Sequence, residues 1–134
     1  MTTPNFVILY VDSPERSGAF YASLLGREPV ESSPTFAMFV LDKGFKLGLW
    51  SRHTVEPAAA AAGGGGELVL ALDNALAVDA THSDWAGRGL KILQERVGAC
   101  LIFASPQVKD VRIRIVRRFG FDTRFFLGRK SGAQ

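Results

Sequence analysis

A weak internal repeat constrains the fold of this chain more than any other feature. Residues 7–13 (VILYVDS) align with residues 68–74 (LVLALDN), and both are apolar stretches that end in Asp and a helix-capping residue. Continued without a gap, the alignment places Gly26 on Gly87, and glycine is typical of the end of a helix. The repeat therefore predicts two halves that each begin with a strand and a helix.

Three further strand-like stretches follow each predicted helix. Ser13 and Pro14 predict the start of a first helix that ends at Gly26, with Ala19, Phe20 and Leu24 as its apolar stripe. The second helix is predicted at about 74–88, with Val78, His82 and Trp85 on one face. The predicted strands are 6–11, 28–33, 35–41, 46–51, 67–72, 91–96, 99–104 and 111–116. This pattern predicts an α+β fold with eight strands and two helices.

The segments outside these halves differ from them in composition. Residues 57–66 (PAAAAAGGGG) are typical of a flexible linker. Residues 117–134 form a basic tail whose phenylalanines we expect to pack on the domain or on a partner subunit. Residues 109–134 carry eight Lys or Arg against two Asp. Because no recognised nucleic-acid motif accompanies these charges, we expect no nucleic-acid binding.

Composition predicts a single domain over residues 1–134, since 134 residues with 47% hydrophobic side chains can bury a core. Cys100, the only cysteine, cannot form an internal disulfide, and the first residues lack the pattern of a signal peptide. The apolar runs have the length of strands and are too short to span a membrane. We therefore expect a cytoplasmic protein without a membrane segment.

The stretch from Phe6 to Arg52 carries a recognisable motif, of the form YVDxxxxSxxFYxxLLG in this sequence. The matching residues are Tyr10, Val11, Asp12, Ser17, Phe20, Tyr21, Leu24, Leu25 and Gly26. This motif resembles the first module of the glyoxalase/bleomycin resistance protein/dioxygenase (vicinal oxygen chelate) superfamily, and the resemblance extends over residues 6–116. The sequence departs from the family pattern at residues 105–109 (SPQVK), where an Asp-Pro-Asp-Gly type of turn is usual.

The resemblance implies two βαβββ modules, residues 6–53 and 67–116, whose curved mixed sheets enclose a cleft. In this family the cleft is often completed by a second subunit, so a homodimer is expected. Enzymes of the family hold a divalent metal with four His, Gln or Glu side chains on the first and fourth strands of the modules. Its resistance-type members bind a drug-like molecule without a metal.

The four family metal positions correspond in this sequence to Phe6, Gly48 (or Trp50), Glu67 and Arg114. Of these side chains only Glu67 can coordinate a cation, and one carboxylate does not hold a catalytic metal. His53 and His82 do not share the strand face of Glu67. Cys100 lies in an apolar run, where a thiol behaves as a small hydrophobic group. We therefore predict no metal, no other cofactor and no catalytic residues.

A ligand site without a metal would use aromatic side chains for stacking and a few charges for orientation. Either Phe36 or Phe39, together with Phe103, could complete an aromatic cavity. We favour the core for Phe20, Tyr21 and Phe36, whereas Trp50 is either a stacking residue or part of the core. Arg114 is either a surface residue or the partner of Glu67 in an ion pair at the position of the metal. The predicted ligand-binding residues are Phe6, Tyr10, Phe39, Trp50, Glu67, Phe103 and Arg114.

These observations leave three functions open. The first is a metal-free, non-catalytic protein that binds an aromatic or anionic small molecule, as the antibiotic-sequestering proteins of the family do. The second is a metal-dependent lyase of the glyoxalase type, an isomerase or a dioxygenase with a different ligand set. The third is a protein-interaction module that uses the tail of residues 117–134.

Overall fold

The computed structural model describes residues 2–60, 66–97, 100–105 and 108–117. The two helices are α1 (Pro14–Leu25) and α2 (Ala75–Gly87). The eight strands are β1 (Phe6–Val11), β2 (Glu31–Ser32), β3 (Phe36–Val40), β4 (Lys46–Ser51), β5 (Glu67–Leu72), β6 (Lys91–Val97), β7 (Cys100–Ser105) and β8 (Val108–Arg117). The predicted α+β class is confirmed.

The strands form two four-stranded sheets with the same internal order. The first sheet has the order β1-β4-β3-β2, and the second has the order β5-β8-β7-β6. In the first sheet β1 runs parallel to β4, whereas β3 is antiparallel to both β4 and β2. The chain divides into two compact units, the first of which contains the whole first sheet.

Local signals position α1 in the first unit. The Ser13 side chain accepts a hydrogen bond from the backbone N–H of Arg16 at 3.3 Å, and Pro14 follows in the first turn of the helix. The helix ends at Gly26, which adopts the left-handed conformation with φ 64° that favours glycine. Both ends of α1 therefore lie where the cap residues predict them.

The face of α1 that packs on the first sheet differs from the predicted stripe. Ala19 is exposed, and Phe20 and Leu24 are only half-buried. Small residues explain the shift, because a Cβ on Gly18 would lie 3.6 Å from the Cβ of Ala37 and the helix approaches the sheet closely there. The buried helix residues are Pro14, Ser17, Gly18 and Tyr21, and the sheet buries Val11, Ala37, Phe39, Leu47 and Leu49.

In the second unit, α2 begins at Asn74, whose side-chain oxygen accepts a hydrogen bond from the backbone N–H of Ala77 at 2.8 Å. Val78 and Trp85 are buried on one face of this helix, as their spacing predicts. Ile113 and Ile115 of β8 are also buried. The 3.6-residue period therefore identified the packed face of α2 correctly.

Five strands have bounds that differ from the prediction: β3, β6 and β7 by one residue at one or both ends, and β2 and β8 by more. β2 contains two residues instead of 28–33. Pro29 has no N–H to donate to a ladder, whereas the N–H of Val30 donates to Met38 O at 2.7 Å. β8 begins at Val108 rather than at 111. Residues 61–65 of the predicted linker and residues 118–134 of the predicted tail lie outside the described residues. Within the described ranges, no helix has the length and apolar character needed to cross a membrane.

Candidate functional site

The face of the first sheet opposite α1 presents three aligned rows of side chains. Residues aligned on neighbouring strands project to the same side of a sheet, and residues two apart along a strand do so as well. The rows are Phe6–Lys46–Val40, Ile8–Gly48–Met38 and Tyr10–Trp50–Phe36. We call these nine residues the aromatic face.

The aromatic face leaves large apolar side chains in contact with solvent. On β1 the exposed fractions are 38% for Phe6, 40% for Ile8 and 47% for Tyr10. By contrast, Leu47 and Leu49 of β4, which project toward α1, are buried. Contiguous exposed apolar surface is uncommon on a monomeric domain and typically marks a binding site.

Gly48 is the centre of the aromatic face, and two rings cover its backbone. A Cβ built on Gly48 would lie 2.9 Å from Cε1 of Phe6 and 3.2 Å from Cζ of Phe36. The ring of Phe36 in turn meets that of Trp50 edge to face, with 6.3 Å between centroids and 86° between planes. The absence of a side chain at Gly48 therefore lets the rings of Phe6, Phe36 and Trp50 form a continuous aromatic series.

Lys46 places a positive charge at one end of this series. Its Nζ lies 5.9 Å from the centroid of the Phe6 ring, which is within the range of a cation–π contact. Lys46 is the single charged residue of the nine, and it is half-buried. In the described part of the chain no carboxylate pairs with this ammonium.

The structure brings together three of the predicted site residues, Phe6, Tyr10 and Trp50. Phe39 does not join them, and its prediction as a ligand-binding residue needs correction. Phe39 aligns with Leu47, projects toward α1 and is completely buried, so it belongs to the core. Phe36, which was predicted as core, takes its place on the aromatic face.

Several residues of the aromatic face were missed in the sequence. Counting back by two from Gly48 reaches Lys46, and counting forward by two from Phe36 reaches Met38. The period of two was therefore a sufficient signal for both residues, once it was known which alternate residues of β3 and β4 project to this face.

The other predicted site residues lie in the strands of the second sheet. Glu67 is exposed at the start of β5. Arg114 in β8 is only 8% exposed, so the alternative prediction that it is an ordinary surface residue is wrong. The ion pair between Glu67 and Arg114 stays a prediction. Phe103 lies in β7, and its side chain is outside the described part of the structure.

The residues at the family metal positions of the first sheet do not fit a divalent cation. Phe6 and Gly48 have no side-chain lone pair, and the Phe6 ring occupies the space in front of Gly48. Among the described residues, no three His, Cys, Asp or Glu side chains lie close enough together to hold a metal. Phe6 and Gly48 therefore cannot serve as ligands of a catalytic metal.

His53 offers no substitute ligand set. Its Nε2 lies 3.5 Å from Oδ1 of Asp12, at the ends of β4 and β1. The same oxygen accepts a hydrogen bond from Arg52 at 3.4 Å, so a fixed guanidinium cation already neighbours this carboxylate. The side chains of Asp12 and His53 are largely exposed, and that of Arg52 is 38% exposed. The cluster is therefore a surface ion-pair network.

Comparisons with known proteins extend these observations. No family model matches the chain. The phenazine antibiotic resistance protein EhpR of Enterobacter agglomerans is 29% identical over 83 residues, which are 62% of this chain and 63% of that protein. The chain thus spans less than two thirds of the length of this curated relative.

Two solved structures are similar over most of the chain. A solution NMR structure of a protein from Agrobacterium tumefaciens is 49% identical, has a TM-score of 0.76 and covers 87% of this chain and 98% of its own. A crystal structure of a glyoxalase/bleomycin resistance protein/dioxygenase from Nocardioides is 23% identical, has a TM-score of 0.67 and covers 90% and 87%. The predicted resemblance is confirmed, and the chain has the fold of the glyoxalase/bleomycin resistance protein/dioxygenase superfamily.

Proposed function

We propose that this chain binds a planar aromatic small molecule on the aromatic face and sequesters it without a metal or a catalysed reaction. The observation that carries the proposal is that Phe6, Ile8 and Tyr10 of β1 are exposed beside the rings of Trp50 and Phe36. Rings offer a stacking surface for another ring at a low cost in side-chain entropy. The similarity to a phenazine antibiotic resistance protein supports a tricyclic aromatic ligand.

The composition of the aromatic face also supports binding over catalysis. Of its nine side chains only Lys46 and Tyr10 carry a group that can exchange a proton, and Tyr10 aligns with Trp50 two rows away from Lys46. A general acid and a general base acting on one substrate would need to reach the same reacting atoms. These nine side chains therefore offer stacking area without a paired acid and base.

The proposal includes the homodimer and the cytoplasmic location that the sequence predicts. Sedimentation of the purified protein would test the dimer. If the protein sediments as a single chain at every concentration, the dimer part of the proposal is wrong. The proposed binding of a ligand to the first unit does not depend on that result.

Calorimetric titration of the purified protein with phenazine tests the binding function. We expect Trp50→Leu and Tyr10→Leu to weaken binding by about threefold to tenfold, because each removes a ring while keeping an apolar side chain. Leu76→Ala is the control, since Leu76 is 79% exposed on α2 and lies outside the aromatic face. Equal affinities of all variants and of the native protein would contradict the proposed site.

Thermal unfolding separates the proposal from its metal-dependent alternative. A ligand that binds only the folded state adds about 2.7 kcal/mol to its stability at 100 times the Kd. We expect phenazine to raise the melting temperature, and Mn²⁺, Ni²⁺, Zn²⁺, Fe²⁺ and a chelator to leave it unchanged. Stabilisation by one of these metals that a chelator reverses would favour a glyoxalase-type lyase, an isomerase or a dioxygenase.

A further inference from the structure

We propose that the ligand of the aromatic face is a planar aromatic acid whose anionic group binds the ammonium of Lys46. This inference rests on the proposed function and adds the charge and the orientation of the ligand. It starts from the position of Lys46 in the first row of the face, between Phe6 on β1 and Val40 on β3. A cation thus stands among apolar side chains at one end of a stacking surface.

The surroundings of Lys46 favour an anion as its partner. Its ammonium lies over the ring of Phe6, 5.9 Å from the centroid, and in the described residues no carboxylate satisfies it. Attraction between opposite charges strengthens where apolar groups displace water. A ring stacked over Phe6 and Phe36 would exclude water beside Lys46, so an acid group on that ring would gain from the contact.

Glu31 determines which way such a ligand would lie. Glu31 of β2 aligns with Met38, which aligns with Gly48, so it stands two strands away from the centre of the face. At a strand spacing of about 4.8 Å, this places the Glu31 backbone roughly 10 Å from that of Gly48. The positive and negative charges therefore lie at opposite ends, and an acid group is attracted to the β1–β4 end and repelled from β2.

A matched pair of ligands tests the inference. Phenazine-1-carboxylate and its methyl ester share the same ring, and only the first is charged at neutral pH. We expect the native protein to bind the acid about fivefold more tightly than the ester by calorimetry. We expect this preference to shrink when the salt concentration rises from about 50 mM to about 500 mM, because salt screens a partly exposed charge pair.

Variants then assign the preference to one residue. We expect Lys46→Met to bind the acid and the ester equally, because the variant has no cation to favour the acid. Lys46→Arg should restore the preference, because it returns a cation to the same position. Lys43→Met is the matched control: Lys43 is exposed in the turn before β4 and outside the face, and its loss changes the net charge equally.

The outcomes separate this inference from the proposed function. Tight binding of both compounds without a preference, or a preference that persists in Lys46→Met, would overturn the role of Lys46 and leave the aromatic site standing. Failure of both compounds to bind the native protein would overturn the proposed function and this inference with it. Thermal unfolding of each variant without ligand shows that the protein used is folded.

Discussion

The ring of Phe6 lies directly over Gly48, where a side-chain Cβ would approach Cε1 of that ring to 2.9 Å. The two residues stand on parallel strands, with Ile8 rather than Phe6 aligned to Gly48, so the contact is diagonal across the sheet. The ring from β1 and the ring of Phe36 from β3 both approach the position that a Cβ on this glycine would occupy. The aromatic face is therefore continuous because its centre has no side chain.

Gly48→Ala should disturb this face with little effect on the fold. The new methyl group must displace the rings of Phe6 and Phe36, whose edges are free to shift, and the change in the free energy of unfolding should stay within about 1 kcal/mol. We expect affinity for phenazine to fall at least about threefold, since misaligned rings lose stacking area. Gly87→Ala is the control, because a Cβ there meets no atom within 4 Å.

Replacement by alanine should lower the free energy of unfolding much more at Phe39 than at Phe6. Phe39→Ala should lower the free energy of unfolding in urea by about 3–5 kcal/mol, because it empties a fully buried position. Phe6→Ala should cost less than about 1.5 kcal/mol, because much of this ring is already in solvent.

Ligand affinity should depend on Phe6 and not on Phe39. Phe6→Ala removes a ring of the aromatic face, whereas Phe39→Leu, a milder core variant that keeps the protein folded, should bind phenazine as the native protein does. An equal loss of affinity in both folded variants would contradict the assignment of Phe39 to the core.

The close approach of α1 to the first sheet predicts opposite effects on its two sides. Gly18→Ala should stabilise the protein by about 0.5–1 kcal/mol, because alanine favours a helix interior and its Cβ would make an ordinary 3.6 Å contact with Ala37. Ala37→Leu should destabilise it by about 1–3 kcal/mol, because the extra volume has no space below Gly18. Chemical unfolding measures both; destabilisation by Gly18→Ala would show that the helix tolerates no further atom here.

The helix caps should contribute similarly in the two units. Ser13→Ala and Asn74→Ala each leave a first-turn N–H without its side-chain acceptor, and we expect each to cost about 1 kcal/mol. Ser13→Asp supplies another acceptor and is the control for a change of size and charge at that position. Urea unfolding of the three variants tests this, and a cost of Ser13→Asp equal to that of Ser13→Ala would argue against capping.

The sequence by itself determined the elements whose signals are local. β1, β4 and β5 have the predicted bounds, and α1 runs between the predicted Ser13 cap and Gly26. These features depend on apolar alternation and on residues whose side chains or backbone conformations act within one turn. The family motif, which lies in the same stretch of chain, predicted the superfamily fold for the same reason.

Only the tertiary structure decided which side of the first sheet is core and which side is exposed and carries the proposed site. The sequence shows Phe36 and Phe39 as equivalent aromatic residues of one strand, and their assignment depends on where α1 packs through Gly18. Likewise, Lys46 lies beside Phe6 only because β1 pairs in parallel with a strand 40 residues away. A pairing shifted by one residue would exchange the two faces, and no local signal specifies that register.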